Sequence, residues 1–324
     1  MKLIKPSYEI KEQEFGLSGI CKQIEWAGRH CYKSLDKITE NSAKDFVDRM
    51  VKSGHGAMLE HGTVYLKIRK GTYAYDHYVA VCEPNDDFMS SSCELPFRPY
   101  TKVNIQNDYI YVTTNYRVLI EHNWLNDLEY LCEPTEYHEK RVTVRFVADA
   151  GVMREFFRHR VFSMAQESTR YCNYSKNKFG SELTFIIPCW VDEALLKEVK
   201  GTIISKDDYG DLICEYYYHL SGKQEEWFKP WPITPERNFI VSLQIAEQLY
   251  LELLNQGWKP QEARAILPLS IKAEGVMTGF VSDWKHFFSL RALGTTGAPH
   301  PQAKELAEPL MKEFERRGLL CTTQ

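Results

Sequence analysis

Apolar positions recur along the chain at two periods. Phe46, Val47, Met50 and Val51 return every three to four residues within 42–51, which predicts an amphipathic helix stopped by Gly54. After His55-Gly56-Ala57-Met58-Leu59-Glu60-His61 the period falls to two. Val64, Leu66 and Ile68 alternate with Tyr65 and Lys67, the signature of a strand. Val142, Val144 and Phe146 alternate in the same way with Arg141, Thr143 and Arg145 and predict a second strand of the same sheet. Between them, Lys102–Ile105 and Tyr109–Thr113 flank Gln-Asn-Asp as a hairpin, and 117–131 reads as a helix ending before Pro134. The segment at about 69–139 is therefore expected to be an insertion, not a separate domain.

Further along, Asp149 can cap a helix that runs through Val152, Met153, Phe156 and Phe157 into Arg158-His159-Arg160. The strongest helix signal starts at Thr234-Pro235-Glu236, carries the stripe Phe239, Ile240, Leu243, Ala246, Tyr250, Leu253 and Leu254, and stops at Gly257. A last helix is predicted over 302–317, ended by Gly318. No internal repeat or low-complexity segment interrupts this order. The predicted class is α+β, a mostly antiparallel sheet flanked by helices, in one domain over 1–324 with insertions at about 69–139 and 190–233.

Composition narrows the function classes. The 324 residues are 44% hydrophobic and 26% charged, and 40 Lys+Arg against 44 Asp+Glu leave a net charge of −4. That balance supplies no global field for a polyanion, so a nucleic-acid binder would need a local basic patch. No apolar stretch reaches the roughly 18–20 residues of a membrane helix, and Pro6, Glu9 and Lys11 interrupt any signal-peptide core. A cytoplasmic protein without a membrane partner is expected. The nine cysteines are odd in number, irregularly spaced and without a C-x-x-C, which argues for reduced thiols over a disulfide framework or a structural metal site.

The densest polar constellation is 154–171, where four arginines and His159 are interleaved with Phe156, Phe157 and Phe162 and with the hydroxyls of Ser163, Ser168 and Thr169. Guanidinium forks beside hydroxyls suit phosphate, because each fork can bind two oxygens at once. The competing reading is a charged helix end paired with neighbouring acids, and composition leaves the two open. Glycine-rich nucleotide loops are missing: there is no G-x-G-x-x-G after a strand and no G-x-x-x-x-G-K-[ST]. A dinucleotide bound here would be held by side-chain charge.

Arg158-His159-Arg160, Ser163, Ser168 and Arg170-Tyr171 together resemble the R-H-R-x-x-S-x-N-x-x-S-x-R-Y signature of the flavin-dependent thymidylate synthases. Four other segments resemble that family in the same order: Gly54-His55 with Glu60-His61, Ala263-Arg264-Ala265-Ile266-Leu267-Pro268, His286-Phe287-Phe288-Ser289-Leu290-Arg291, and His300-Pro301-Gln302. The chain departs from the pattern at Ala165, where the signature has Asn, and at Gln166 and Glu155, where many members carry Glu and Gln. It departs again at Phe280 and Ser282, where the family often has an N-x-R that touches the flavin.

The resemblance implies conversion of dUMP to dTMP, with methylenetetrahydrofolate as carbon donor and FAD reduced by NADPH as the hydride source. It implies that Ser168, Arg170 and Arg264 hold the dUMP phosphate and that Glu155, Arg158 and Gln166 contact the nucleotide. Arg291 would polarise the uracil and is the one catalytic assignment. His55, Ala57, Arg158, His159, Arg160, Val161, Gln166, His286 and His300 would line the FAD. It further implies a homotetramer with FAD sites between chains, and no enzyme nucleophile. Pro188-Cys189 is similar to the Pro-Cys of the cysteine-dependent thymidylate synthases, but Trp190 follows where those have His, so Cys189 is read as a structural thiol.

Blander readings compete at several positions: a turn histidine at His55, a strand-start histidine at His61, a structural ion pair at Arg264, a core histidine at His286 and packing at Tyr171. Two rival functions also stand. One is a nucleic-acid module using the arginine–phenylalanine segment as clamp and stacking platform; the other is a flavoprotein of the same fold with altered chemistry.

Overall fold

The computed structural model describes residues 1–82, 100–168, 182–192 and 234–320. In chain order the first elements are β1 (Lys2–Ile4), β2 (Ser7–Lys11), α1 (Gly16–Cys31), α2 (Ser42–Lys52), α3 (Gly56–Leu59), β3 (Thr63–Arg69) and α4 (Tyr73–Cys82). Then follow β4 (Lys102–Gln106), β5 (Tyr109–Asn115), α5 (Tyr116–Glu121), β6 (Arg141–Asp149), α6 (Ala150–Phe156), β7 (Ser163–Gln166) and β8 (Thr184–Ile186). The last are α7 (Pro235–Asn255), α8 (Pro260–Ala263), β9 (Lys272–Phe280), α9 (Val281–Arg291) and α10 (Pro301–Arg316). Among the described residues, no helix is long and apolar enough to cross a membrane.

The chain divides into two compact units. The first comprises Met1–Lys5 and Thr169–Ile271. Its β1 and β8 pair in parallel, Leu3 opposite Phe185, and Ile271 forms a further bridge to Phe185. Helix α7 begins as its sequence predicts: the Thr234 side chain accepts a hydrogen bond from the Arg237 amide at 3.2 Å, Pro235 takes the first helical position, and Gly257 leaves at φ +96°.

The second unit comprises Pro6–Ser168 and Lys272–Gln324 and contains two antiparallel sheets, ordered β2-β6-β9-β7 and β3-β5-β4. The strands 63–69 and 141–149, expected in one sheet, lie in different ones. β3 instead takes the hairpin of the intervening segment as its partner, Leu66 opposite Val112. That hairpin turns through Asn107 and Asp108, with Asn107 at φ +54°. The predicted helix over 117–131 is broken: α5 ends at Glu121, Asn123 adopts φ +59°, and a 3-10 turn covers Leu125–Tyr130.

The four-stranded sheet separates two cores. On one face Ala165 and Val276 pack with Ile20, Ile24, Phe46 and Leu59 of α1 to α3 and with β3 and β5. On the other, Val144, Phe146 and Met277 pack with Phe156 of α6, Trp284, Phe287 and Phe288 of α9 and Phe314 of α10. Because both faces are covered, the polar positions of β6 are inside: Arg141 and Thr143 are buried. Gly275 allows α6 to lie close to β9, since a Cβ there would stand 2.7 Å from Met153 Sδ.

Candidate active site

Helix α6 starts where the sequence places it. Asp149 Oδ1 accepts from the Val152 amide at 2.8 Å, while Oδ2 accepts from Gln302 Nε2 at 2.9 Å and ties α10 to the same cap. The helix ends sooner than expected, at Phe156, so Arg158-His159-Arg160 form a turn instead of a helical end. The consequence is a split of the three side chains. His159 is buried, whereas Arg158, Arg160 and Val161 are exposed.

Arg291, in the last turn of α9, reaches across to that turn. Its Nη1 donates to Glu155 Oε2 at 2.7 Å, Nη2 to the Glu155 carbonyl at 3.0 Å, and Nε to His159 Nε2 at 3.2 Å. Three of its five N–H groups are thus committed, leaving one on each terminal nitrogen. As acceptor, His159 Nε2 carries no proton. Burial, then Arg291 and His286, pushes the His159 pKa down to about 4, so the ring is neutral at physiological pH. His286 lies edge-on to it with ring centroids 5.9 Å apart. The core reading of His286 is overturned: Phe287 and Phe288 are buried, but His286 itself is exposed beside Lys285.

Strand β7 and the two residues after it carry the signature as far as Ser168. Ser163, Ala165 and Glu167 are buried in alternation with the half-exposed Met164, Gln166 and Ser168. Gln166 stands opposite Gly275, on the face where α6 packs, and therefore on the side of Glu155 and His159. Glu167 continues the pairing, its amide donating to the Glu274 carbonyl at 2.8 Å. Ala165, which stands where the signature has Asn, is 3% exposed and belongs to the core beneath α1.

His55 is exposed at the start of α3, its Nδ1 3.0 Å from the Tyr32 hydroxyl, and Ala57 is exposed in the same turn. A turn histidine bonded to backbone is not what the structure shows: the partner of His55 is the Tyr32 side chain. His61 is fully inside, bonded through Nδ1 to Thr278 Oγ1 at 2.8 Å, and burial pushes its pKa down to about 3. His300 is exposed and caps α10. Arg264 is exposed in a 3-10 turn, 264–266, of the first unit. Arg170 and Tyr171 lie outside the described residues. Phe280 and Ser282 fasten the inserted hairpin: Lys102 Nζ donates to Ser282 Oγ at 2.7 Å and sits 5.0 Å over the Phe280 ring.

The structure thus joins Glu155, His159, His286 and Arg291 by direct contacts and sets Gln166 and Ser168 on the adjoining strand exit. The exposed donors suit phosphate oxygens. Among the described residues no carboxylate pairs with Arg158 or Arg160, two exposed guanidiniums two positions apart, whereas Arg29, Arg117, Arg145 and Arg291 all have one.

A sequence profile of the thymidylate synthase complementing protein family matches residues 134–317. The chain belongs to that family. The match includes β6, α6, β7, α9 and the whole of α10, and it leaves out His55 and Ala57. A flavin-dependent thymidylate synthase of Synechocystis sp. is 26% identical over 174 residues, 53% of this chain and 67% of its own. A protein of Paramecium bursaria Chlorella virus 1 named "Probable flavin-dependent thymidylate synthase" is 24% identical over the same shares. A crystal structure of a UMP/dUMP methylase PolB from Streptomyces cacaoi, bound with 5-Br dUMP, aligns over 98% of this chain and 93% of its own at 17% identity. Its TM-score is 0.39, too loose a superposition to bear on the site. Membership makes this chain an enzyme of the flavin-dependent thymidylate synthase family, a methyltransferase, and the α+β expectation with antiparallel sheets is met.

Proposed function

We propose that this chain methylates dUMP to dTMP, taking the carbon from methylenetetrahydrofolate and the reducing equivalents from NADPH through FAD. The supporting observation is the setting of Arg291. An always-charged guanidinium is fixed by Glu155 and by a neutral His159, with two N–H groups still to give. Carbon 5 of the uracil becomes nucleophilic only as negative charge grows at N3 and O4. A rigid cationic donor aimed at that charge lowers the barrier most when it need not reorganise. Glu155 and His159 provide that rigidity, and the neutral imidazole adds no competing positive charge.

Gln166 and Ser168 contact the nucleotide, with Arg170 and Arg264 on its phosphate. Arg158 also faces the nucleotide, and Arg158 and Arg160 hold the FAD diphosphate. His55, Ala57, Val161, His286 and His300 line the flavin and folate side. The bound flavin supplies hydride chemistry; the side chains bind, orient and polarise. No cysteine attacks the base in this reading. Residues 1–324 serve as one synthase domain with insertions at about 69–139 and 190–233, and four chains assemble with FAD sites between them. Incubating the protein with FAD, NADPH, methylenetetrahydrofolate and either dUMP or UMP tests the assignment. dTMP formation from dUMP is expected; methylation of UMP alone, or of neither, overturns it.

A further inference from the structure

The turn that closes α1 touches both ends of the proposed site, although it lies outside the family match and outside every recognised segment. The Cys31 thiol donates to the Gln166 carbonyl at 2.9 Å, and the Cys31 carbonyl accepts from the Ser168 amide at 3.4 Å. Two residues on, Lys33 Nζ lies 2.6 Å from Glu167 Oε1. Three successive residues of the signature are therefore gripped from one turn. Tyr32, between them, meets His55 Nδ1. Lys33 adopts φ +46°, so the chain reverses as it leaves the helix.

The grip is anchored on the sheet. Glu167, its side chain 1% exposed, also lies 3.0 Å from Lys272 Nζ, which bonds Glu274 at 2.9 Å; Arg145 pairs with Glu274 in turn. Burial opposes the charge on Glu274, but Lys272 and Arg145 outweigh it and keep the carboxyl below its usual range. Burial likewise opposes the charge on Lys272, and Glu167 and Glu274 raise its pKa. The result is a run of alternating charges across the sheet that includes Lys33.

We propose that the Cys31–Lys33 turn is the positioning element of the nucleotide side of the site, with the Lys33–Glu167 ion pair as its lock. Strand alternation turns Glu167 inward and leaves Gln166 and Ser168 facing the ligand, so fixing the middle residue fixes both neighbours. This inference rests on the assignment of Gln166 and Ser168 to the nucleotide. Loss of the lock loosens contacts made equally in the ground and transition states, which affects KM and spares kcat.

The test uses Lys33→Gln, Glu167→Gln, the double variant and the conservative Lys33→Arg, each as full-length, FAD-supplemented enzyme. The KM for dUMP in Lys33→Gln is expected to rise about tenfold, the scale of one charge-assisted hydrogen bond, with kcat within about twofold. Lys33→Arg restores it, and the double variant is no worse than the poorer single one. Hydrogen exchange in peptides spanning 163–168 rises in Lys33→Gln and not elsewhere. Unchanged exchange and unchanged KM in Lys33→Gln overturn the proposal, as does a uniform exchange increase with no rescue by arginine. Wild-type protein inert toward dUMP would sink the substrate assignment, while the exchange measurements would still decide whether the turn holds the segment.

Discussion

Arg291 carries the residue-scale account because its three bonds fix a charge that cannot be lost. A lysine in its place keeps the charge but cannot reach Glu155 Oε2, the Glu155 carbonyl and His159 together. Arg291→Lys is expected to cut kcat by about 10²–10³, the cost of removing one preorganised donor, with FAD affinity little changed. Steady-state kinetics with a parallel flavin titration checks this. Cys189 is exposed and belongs to the first unit; Cys189→Ser is expected to retain turnover, and its loss with FAD binding intact would show that an enzyme thiol takes part. His61 gives a pH dependence. Its folded pKa of about 3 lies below the ordinary 6.5, so the unfolded chain binds the extra proton between those values. Stability is thus fully present above about pH 6.5 and falls with acidification toward pH 3. At pH 5 this one group costs roughly 2 kcal/mol relative to pH 7.5. Urea midpoints of wild type and His61→Gln at the two pH values should differ in slope by that amount; equal slopes would contradict it.

At the scale of elements, the cap of α6 decides where the signature turn sits. Asp149 is buried and both carboxylate oxygens are used, one by the Val152 amide and one by Gln302. Gln302→Leu leaves an oxygen of that carboxylate without its partner and is expected to lower unfolding stability by about 1–3 kcal/mol, read from urea denaturation. The cap was legible because Asp149 and the Val152, Met153, Phe156 stripe are neighbours in sequence. The Thr234-Pro235 start and the Asn107-Asp108 turn were legible for the same reason. What the pattern misplaced depends on distant partners. β3 and β6 have the same alternation, and only the hairpin between them, which pairs with β3, decides that they part into two sheets. Asn123 in the left-handed region broke a helix whose apolar spacing is continuous. His286 follows Lys285 on the outer side of α9, and its two phenylalanine neighbours misled because adjacent helical residues point about 100° apart.

For the molecule as a whole, the candidate site was visible as a set of residue types but not as an arrangement. Arg291 and Glu155 are 136 positions apart, and Cys31 and Gln166 are 135; no local pattern announces such pairs. Their meaning emerges from the sheet, which holds α6 and α9 on one face and the end of α1 on the other. Among the described residues no carboxylate pairs with Arg158 or Arg160, which favours the phosphate reading over the charged helix end, since acids do pair with other arginines nearby. The most direct test of the account follows flavin absorbance near ~450 nm anaerobically. Protein loaded with FAD and reduced with dithionite receives methylenetetrahydrofolate, then dUMP. Reoxidation is expected only after dUMP is added, with one dTMP formed per flavin reoxidised. A protein that takes up no FAD, or a reduced flavin indifferent to dUMP, would contradict it.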